Sequence, residues 1–128
     1  IGEERRVSPI TTTERLASVV RSAIGRTKEK IDPATRTFLA LRMAVNQELE
    51  NLAALLREAP RFLKKGGGRL AVISFQSMED RLVKQAFRSA EQTGAVRILT
   101  TKPVGPAEDE IARNPRSRSA KLRVLERS

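Results

Sequence analysis

The sequence predicts an α/β fold, and three observations carry that prediction. Two amphipathic helices open the chain, with apolar residues at three- and four-residue spacing. Four apolar residues, Leu70–Ile73, are then typical of a buried strand. Helix and strand patterns alternate from there, giving the order helix, long helix, strand, helix, strand, short helix, strand. A strand–helix–strand unit favours a parallel sheet, which needs both faces covered and more than three strands, so we expect half of a larger sheet.

Length and composition limit the classes of protein that remain. With 128 residues, of which 39% are hydrophobic and 31% charged, the chain has the size of one domain that can bury a core. It contains no cysteine and no histidine, which excludes disulfide scaffolds, thiolate zinc sites, cysteine nucleophiles and histidine acid–base chemistry. The lack of cysteine fits a cytoplasmic protein. No apolar run approaches the length that spans a membrane.

The net charge of +10 is concentrated near the end of the chain. Residues 113–128 hold six basic residues and one acid, and so supply half of the excess. A basic surface attracts phosphate through steering and counterion release, whereas a merely solvated surface is the plainer explanation. Because the charges are clustered, nucleic acid is the favoured partner.

The first helix is predicted over Pro9–Gly25. Thr11 and Glu14 have the spacing of a capping box, in which each side chain accepts from a free amide at the helix start. Gly25 suits the C-terminal cap. Residues 25–30 then form a polar linker.

The second helix is predicted as one long amphipathic element. Asp32 is the expected N-cap and Pro33 the first helical residue, while Pro60 bends or ends the helix. Arg42 and Asn46 are four residues apart, so both project from one side. Asn46 interrupts an otherwise good helical sequence, either as an exposed residue or as a polar contact at a site.

The segment "ISFQSMEDR" (Ile73–Arg81) is unusually polar for the end of a buried strand. Ligands of open α/β sheets bind beyond the carboxyl ends of the strands, so this cluster lies where a binding crevice is expected. Helix capping is the alternative: Ser77 is the expected N-cap of the next helix, with Asp80 in its first turn. Capping does not account for Ser74 or Gln76.

Three elements complete the chain. A second strand is predicted over Ala95–Thr100, and a short helix starts at Pro106. The last strand is predicted over Ser119–Arg127, with Leu122 and Val124 facing inward.

Four stretches together resemble the bacterial 16S ribosomal RNA cytosine-N4 methyltransferases, the RsmH or MraW family. They are "PITTTERLASVV", "IDPATRTFLALRMAVNQEL", "GGGRLAVISFQSMEDRLVK" and "LTTKPVGPAEDEIARNPRSRSAKLRV". Their order and approximate spacing are similar to those of the family, and they cover nearly the whole chain.

The resemblance implies a class I methyltransferase fold that uses S-adenosyl-L-methionine. Residues 1–30 would be the remnant of a helical insertion. Residues 31–128 would be the C-terminal half of the Rossmann-like domain, the second half of its sheet, with the last strand antiparallel. The implied substrate is N4 of a cytosine in small-subunit ribosomal RNA.

The resemblance also implies that the cofactor is bound mainly by residues absent from this chain. The family's glycine-rich turn after the first strand, its acidic ribose contact and its Asp-Leu-Gly-type motif have no counterpart here. Gly66–Gly68 are no substitute, because they follow a helix and precede a strand. Gln76 stands where the family usually has histidine.

Candidate catalytic residues come from the polar segment. The N4 amine of cytosine is a poor nucleophile, so the base must be extruded and its amine held by acceptors. The acceptors proposed are Ser74, Gln76 through its carbonyl, and Glu79; Gln76 can position the amine but cannot act as a base. Stacking on the base is expected from Phe75 or from the plane of an arginine side chain.

Further candidate substrate-binding residues lie elsewhere in the chain. Arg116, Arg118 and Lys121 are expected to hold phosphates, which fixes register without reading sequence. Arg42 and Asn46, on one side of the long helix, are two more candidates.

Two functions of different classes stay open at this point. One is the RNA methyltransferase, or its substrate-side half, which alone would be inactive. The other is a non-catalytic RNA-binding remnant of the same family. In both, the partner is ribosomal RNA or the small ribosomal subunit, and neither a membrane nor a metal is expected.

Overall fold

A computed structural model describes residues 1–25 and 31–128. The predicted linker therefore lies, from residue 26 to residue 30, outside the described residues. The chain forms two compact units, Ile1–Glu48 and Leu49–Ser128. The assignment of residues 1–30 to a helical insertion stays a prediction.

The first unit is helical. Thr12 caps its second helix by accepting from the Arg15 amide at 3.2 Å, so the cap lies one residue after the predicted Thr11. Asp32 caps the third helix as predicted, with Oδ1 accepting from the Ala34 amide at 2.9 Å. The helices are α1 (Gly2–Val7), α2 (Thr13–Ile24) and α3 (Pro33–Val45). The core between α2 and α3 is formed by Ala17, Val20 and Ala34, with Leu16 and Phe38 packed against it.

The single long helix predicted after Asp32 is wrong: the chain forms two helices there. Asn46 is the C-cap of α3, and Gln47 follows with φ of 51°, in the left-handed region that ends a right-handed helix. Helix α4 then runs over Glu48–Phe62. Pro60 does not end it, since α4 continues for two more residues.

The second unit contains a three-stranded sheet of order β1–β3–β2. The parallel pairing expected for the first two strands is wrong, because β3 lies between them and runs antiparallel to both. β1 and β2 therefore point the same way without touching, and the last strand is antiparallel as predicted. The elements are β1 (Arg69–Ser74), α5 (Ser77–Gln92), β2 (Val96–Ile98), α6 (Glu108–Arg113), a 3₁₀ turn (Pro115–Ser119) and β3 (Lys121–Arg127).

One face of this sheet packs into the core of the second unit. Val83 and Phe87 of α5 meet Leu125 of β3, and all three are at most 2% exposed. The opposite face carries Ile73, which is 61% exposed. Packing therefore fixes α5 against the sheet and so fixes the loop that joins β1 to α5.

The residues of β3 that face inward are each one position later than predicted. Arg123 and Leu125 are buried, whereas Leu122 and Val124 are half-buried on the other face. An arginine can take the inward position because a carboxylate of α5 pairs with it, as described below. The hydrophobic pattern alone could not show that partner.

Candidate functional site

The loop between β1 and α5 carries three of the predicted site residues. Ser74 is the last residue of β1 and is 5% exposed, and Gln76 is the N-cap of α5. The prediction that Ser77 is the N-cap is wrong, because Ser77 is already the first helical residue. The reason is the extended backbone of Gln76, with φ of −118° and ψ of 148°, which is the geometry of a cap. Phe75 projects between them and is 53% exposed.

Glu79 holds this loop in place. Its Oε2 atom accepts from the backbone amides of Phe75 at 3.1 Å and Gln76 at 3.2 Å. These are the free amides just before the helix, and a carboxylate also suits the positive helix start. One Glu79 oxygen is therefore committed to the loop. Its Oε1 makes no hydrogen bond with the described residues.

Asp80 lies in the first turn of α5, as expected, but its carboxylate pairs with Arg123 and does not cap the helix. Its Oδ1 accepts from Arg123 Nε at 2.7 Å and its Oδ2 from Arg123 Nη2 at 3.3 Å. Lys121 Nζ lies 3.5 Å from Oδ2. These partners, chiefly the hydrogen bond from Arg123, lower the pKa of the Asp80 carboxyl, so that it stays charged.

Sequence reasoning missed the ion pair between Arg123 and Asp80. Arg123 is 6% exposed, although its place in the basic C-terminal segment predicts an exposed side chain. A signal existed: the alternation of "KLRVLER" also allows Arg123 and Leu125 on the inner face. A buried arginine would then have required a nearby acid.

The basic segment, residues 113–128, comes next to the loop between β1 and α5 at Lys121. Lys121 lies opposite Ser74 in the β1–β3 register. Arg116 and Arg118 are exposed on the 3₁₀ turn, and neither forms an ion pair with any residue in the described ranges. Ser117 between them is 4% exposed, and its hydroxyl donates to the Asn114 carbonyl at 2.8 Å. The turn is thus anchored by Ser117 and presents its two guanidinium groups to solvent.

Arg42 and Asn46 belong to the first unit. Both reach the carboxylate of Glu48: Arg42 donates at 2.8 and 3.1 Å, and Asn46 Nδ2 at 3.2 Å. These donors, Arg42 first, lower the pKa of Glu48. The two side chains lie on one side, as their spacing predicts, and their contacts brace the break between α3 and α4.

The glycine-rich turn before β1 does not form a nucleotide cradle. Gly66 and Gly67 have φ values of 70° and 118°, which only glycine adopts readily. The Gly67 amide donates to the Arg127 carbonyl at 3.0 Å, and Gly68 donates to Lys64 at 2.9 Å. These amides are used within the fold, so this turn does not fit the phosphates or ribose of a cofactor.

No group of three or more acidic side chains that could hold a metal ion occurs among the residues that the structure describes. None of the helices described is long and apolar enough to cross a bilayer.

Comparison with known proteins identifies the family to which this chain belongs. The profile of the MraW methylase family matches residues 1–128, and the chain belongs to that family. This confirms the resemblance drawn from the four sequence stretches.

Curated relatives support the same assignment. "Ribosomal RNA small subunit methyltransferase H" of Acidobacterium capsulatum is 52% identical over 98% of this chain and 46% of its own length. The protein of the same name from Synechococcus sp. is 57% identical over 94% of this chain and 37% of its own length. The protein of that name from Thermomicrobium roseum is 50% identical over 99% of this chain and 43% of its own length. The chain thus spans less than half the length of these relatives.

Proposed function

We propose that this chain supplies the substrate-side half of an S-adenosyl-L-methionine-dependent methyltransferase. The substrate is N4 of a cytosine in small-subunit ribosomal RNA, and the enzyme acts in the cytoplasm on the RNA or on the small ribosomal subunit. The observation that carries the proposal is the family match along the whole chain. The names of the relatives support an RNA substrate.

The loop between β1 and α5 is proposed to hold the target base. A cytosine must leave its stack before its amine can react. Phe75 offers an exposed ring on which the extruded base can stack. The Ser74 hydroxyl, the Gln76 side-chain carbonyl and Glu79 Oε1 are acceptors for the amine. Since Glu79 Oε2 fixes the backbone of the loop, these acceptors are positioned before the base arrives.

The phosphates of the RNA are proposed to lie along the basic segment. Arg116 and Arg118 are exposed on an anchored turn, so they can bind phosphate without breaking an ion pair of the described residues. Lys121 keeps its contact with Asp80 and adds positive charge next to Ser74. Arg42 and Asn46 are proposed as further substrate contacts from the first unit.

The cofactor half is proposed to come from residues other than these 128. The glycine turn does not fit a cofactor, and S-adenosyl-L-methionine when bound would supply the methyl group. In that proposal β1, β3 and β2 are one end of a class I Rossmann-like sheet. The sheet topology supports this assignment, because β1 and β2 run in the same direction and β3 lies antiparallel between them.

A chimera tests the proposal. The matched segment of the Acidobacterium capsulatum relative, 52% identical, is replaced by this chain. Transfer of labelled methyl groups to small ribosomal subunits is measured, and the product nucleoside is identified by mass spectrometry. We expect N4-methylcytidine. A chimera that binds RNA but transfers no methyl group would establish the non-catalytic alternative instead.

The same chimera with Gln76→Ala locates the chemistry. We expect a large loss of turnover, well beyond the loss of about 1 kcal/mol in stability that follows from removing the Gln76 side chain from the capping box it forms with Glu79. Ser77→Ala is the matched control, because the neighbouring hydroxyl has no capping role here. Equal turnover in both variants would contradict the placement of the base at this loop.

A further inference from the structure

The second unit contains a cavity that the proposed base site does not use. Its volume is about 210 Å³, and it lies between α5 and the residues that follow β2. A cavity this small is below the usual size of pockets for whole small molecules, which begin at roughly 300 Å³. Its polar lining residues are Lys84, Arg88, Glu91, Thr100, Thr101 and Arg123.

Arg123 gives the cavity a fixed, nearly buried cation. Its Nε and Nη2 atoms are held by Asp80, and Nη1 makes no hydrogen bond with the described residues. The ion pair sets the orientation of the guanidinium group, so its remaining donors are ordered before any ligand arrives. Arg123 is therefore both a structural residue and part of the cavity wall.

Two more cations stand at the cavity on one helix face. Lys84 and Arg88 are four residues apart on α5, both exposed, and neither is ion-paired within the described ranges. Thr101 adds a hydroxyl, whereas Thr100 Oγ1 already accepts from the Val124 amide at 2.8 Å.

The carboxylates at the cavity set the charge that it accepts. The negative charge of Glu91 repels an anion. Its Oε1 accepts a hydrogen bond from the Ile98 amide at 2.8 Å. Among the lining residues, the three cations exceed the one acid, Glu91, by two charges, and Asp80 behind Arg123 is matched by Lys121. This excess of positive charge suits an anion with more than one acceptor oxygen.

We propose that this cavity binds one phosphodiester of the RNA backbone, separately from the contacts of Arg116 and Arg118. The inference rests on the proposed function, since it takes RNA as the substrate. A phosphodiester carries one negative charge and two free oxygens, which suit the excess positive charge and the several donors here. The net charge of +10 favours RNA over an acidic protein segment, whose carboxylates offer similar oxygens.

The test measures RNA binding by the full 128-residue chain. Anisotropy of a labelled single-stranded RNA is followed against salt concentration for wild type and for three double variants. They are Lys84→Gln/Arg88→Gln, the control Lys64→Gln/Lys65→Gln, whose residues do not line the cavity, and Arg116→Gln/Arg118→Gln. Amide NMR signals of Thr101 and Arg88 are recorded with the RNA, with inorganic phosphate and with a polyglutamate peptide.

The expected result is specific to the cavity. Lys84→Gln/Arg88→Gln should lower the salt slope by about 0.7, the value for one phosphate of a single strand, and the control should leave it unchanged. The RNA should shift the Thr101 and Arg88 signals. Equal effects of the cavity and control variants would overturn the inference, and so would shifts caused only by inorganic phosphate or only by polyglutamate.

Failure of this inference can be told from failure of the proposed function. An effect of Arg116→Gln/Arg118→Gln without an effect of Lys84→Gln/Arg88→Gln would overturn the cavity site alone. A wild-type chain that binds no RNA would overturn both.

Discussion

Arg123 Nε donates to Asp80 Oδ1 at 2.7 Å and joins β3 to the first turn of α5. The side chains are 8% and 13% exposed, so the pair is largely shielded from water. It lies between the loop proposed to hold the base and the cavity proposed to hold a phosphate. The geometry of both therefore depends on this contact.

Asp80→Asn should destabilise the second unit by about 3 kcal/mol. The substitution removes the counter-charge of a buried guanidinium, and an uncompensated buried charge is costly. Unfolding in urea, followed by circular dichroism, measures the change. Asp109→Asn is the matched control, because its pair with Arg113 is 77% and 71% exposed and should contribute less than about 0.5 kcal/mol. Equal effects of the two variants would contradict the structural role of Asp80.

The same pair should make the stability depend on acid pH. The Arg123 hydrogen bond lowers the pKa of Asp80 below its value in the unfolded chain, about 3.9. The unfolded state therefore binds the proton first, and the stabilisation is complete above about pH 5 and is lost as the pH falls through the lowered pKa. Urea unfolding at several pH values should show the difference between wild type and Asp80→Asn narrowing towards low pH. A constant difference would be inconsistent with this linkage.

Glu79→Ala should cost about 1 kcal/mol, because it leaves the Phe75 and Gln76 amides without their acceptor. Ser77→Ala should change the stability by less than about 0.5 kcal/mol, since Ser77 is not the cap. Thermal unfolding of the two variants compares them directly. A larger loss for Ser77→Ala would return the capping role to the residue that the sequence favoured.

Phe75→Ala should weaken binding of single-stranded RNA by about tenfold, within the 1–3 kcal/mol that stacking of one base contributes. Its ring is 53% exposed, so the fold should be little affected. Phe62→Ala is the control, as Phe62 is 85% exposed but lies on α4, away from the loop in sequence. Fluorescence anisotropy measures both. If the two variants bind RNA equally well, Phe75 does not stack on a base.

The elements that sequence reasoning predicted well are those set by local chemistry. Asp32 followed by Pro33 marks a helix start because capping needs only neighbouring atoms. The strand Arg69–Ser74 and the loop after it were also predicted from local sequence, because an apolar run there ends abruptly in polar residues. The break at Gln47 was not predicted, since a glutamine with positive φ leaves no trace in hydrophobic periodicity.

The features that sequence reasoning missed depend on partners distant in the chain. Arg123 faces inward because Asp80 lies 43 residues earlier in the chain. Likewise, β3 lies between β1 and β2 in the sheet, and no local sequence pattern indicates this order. The site residues Ser74 and Lys121 were each proposed from sequence, but only the strand register brings them side by side.

The position of β3 also sets the order in which the second unit can assemble during synthesis. Among the described residues, the ladders of β1 and β2 are both made with β3, which follows both strands in the chain. During synthesis both outer strands therefore stay without their β3 partner until β3 has been made. Pairing over such long sequence separations is slow, so we expect the sheet to form after α5, the helix that packs against it.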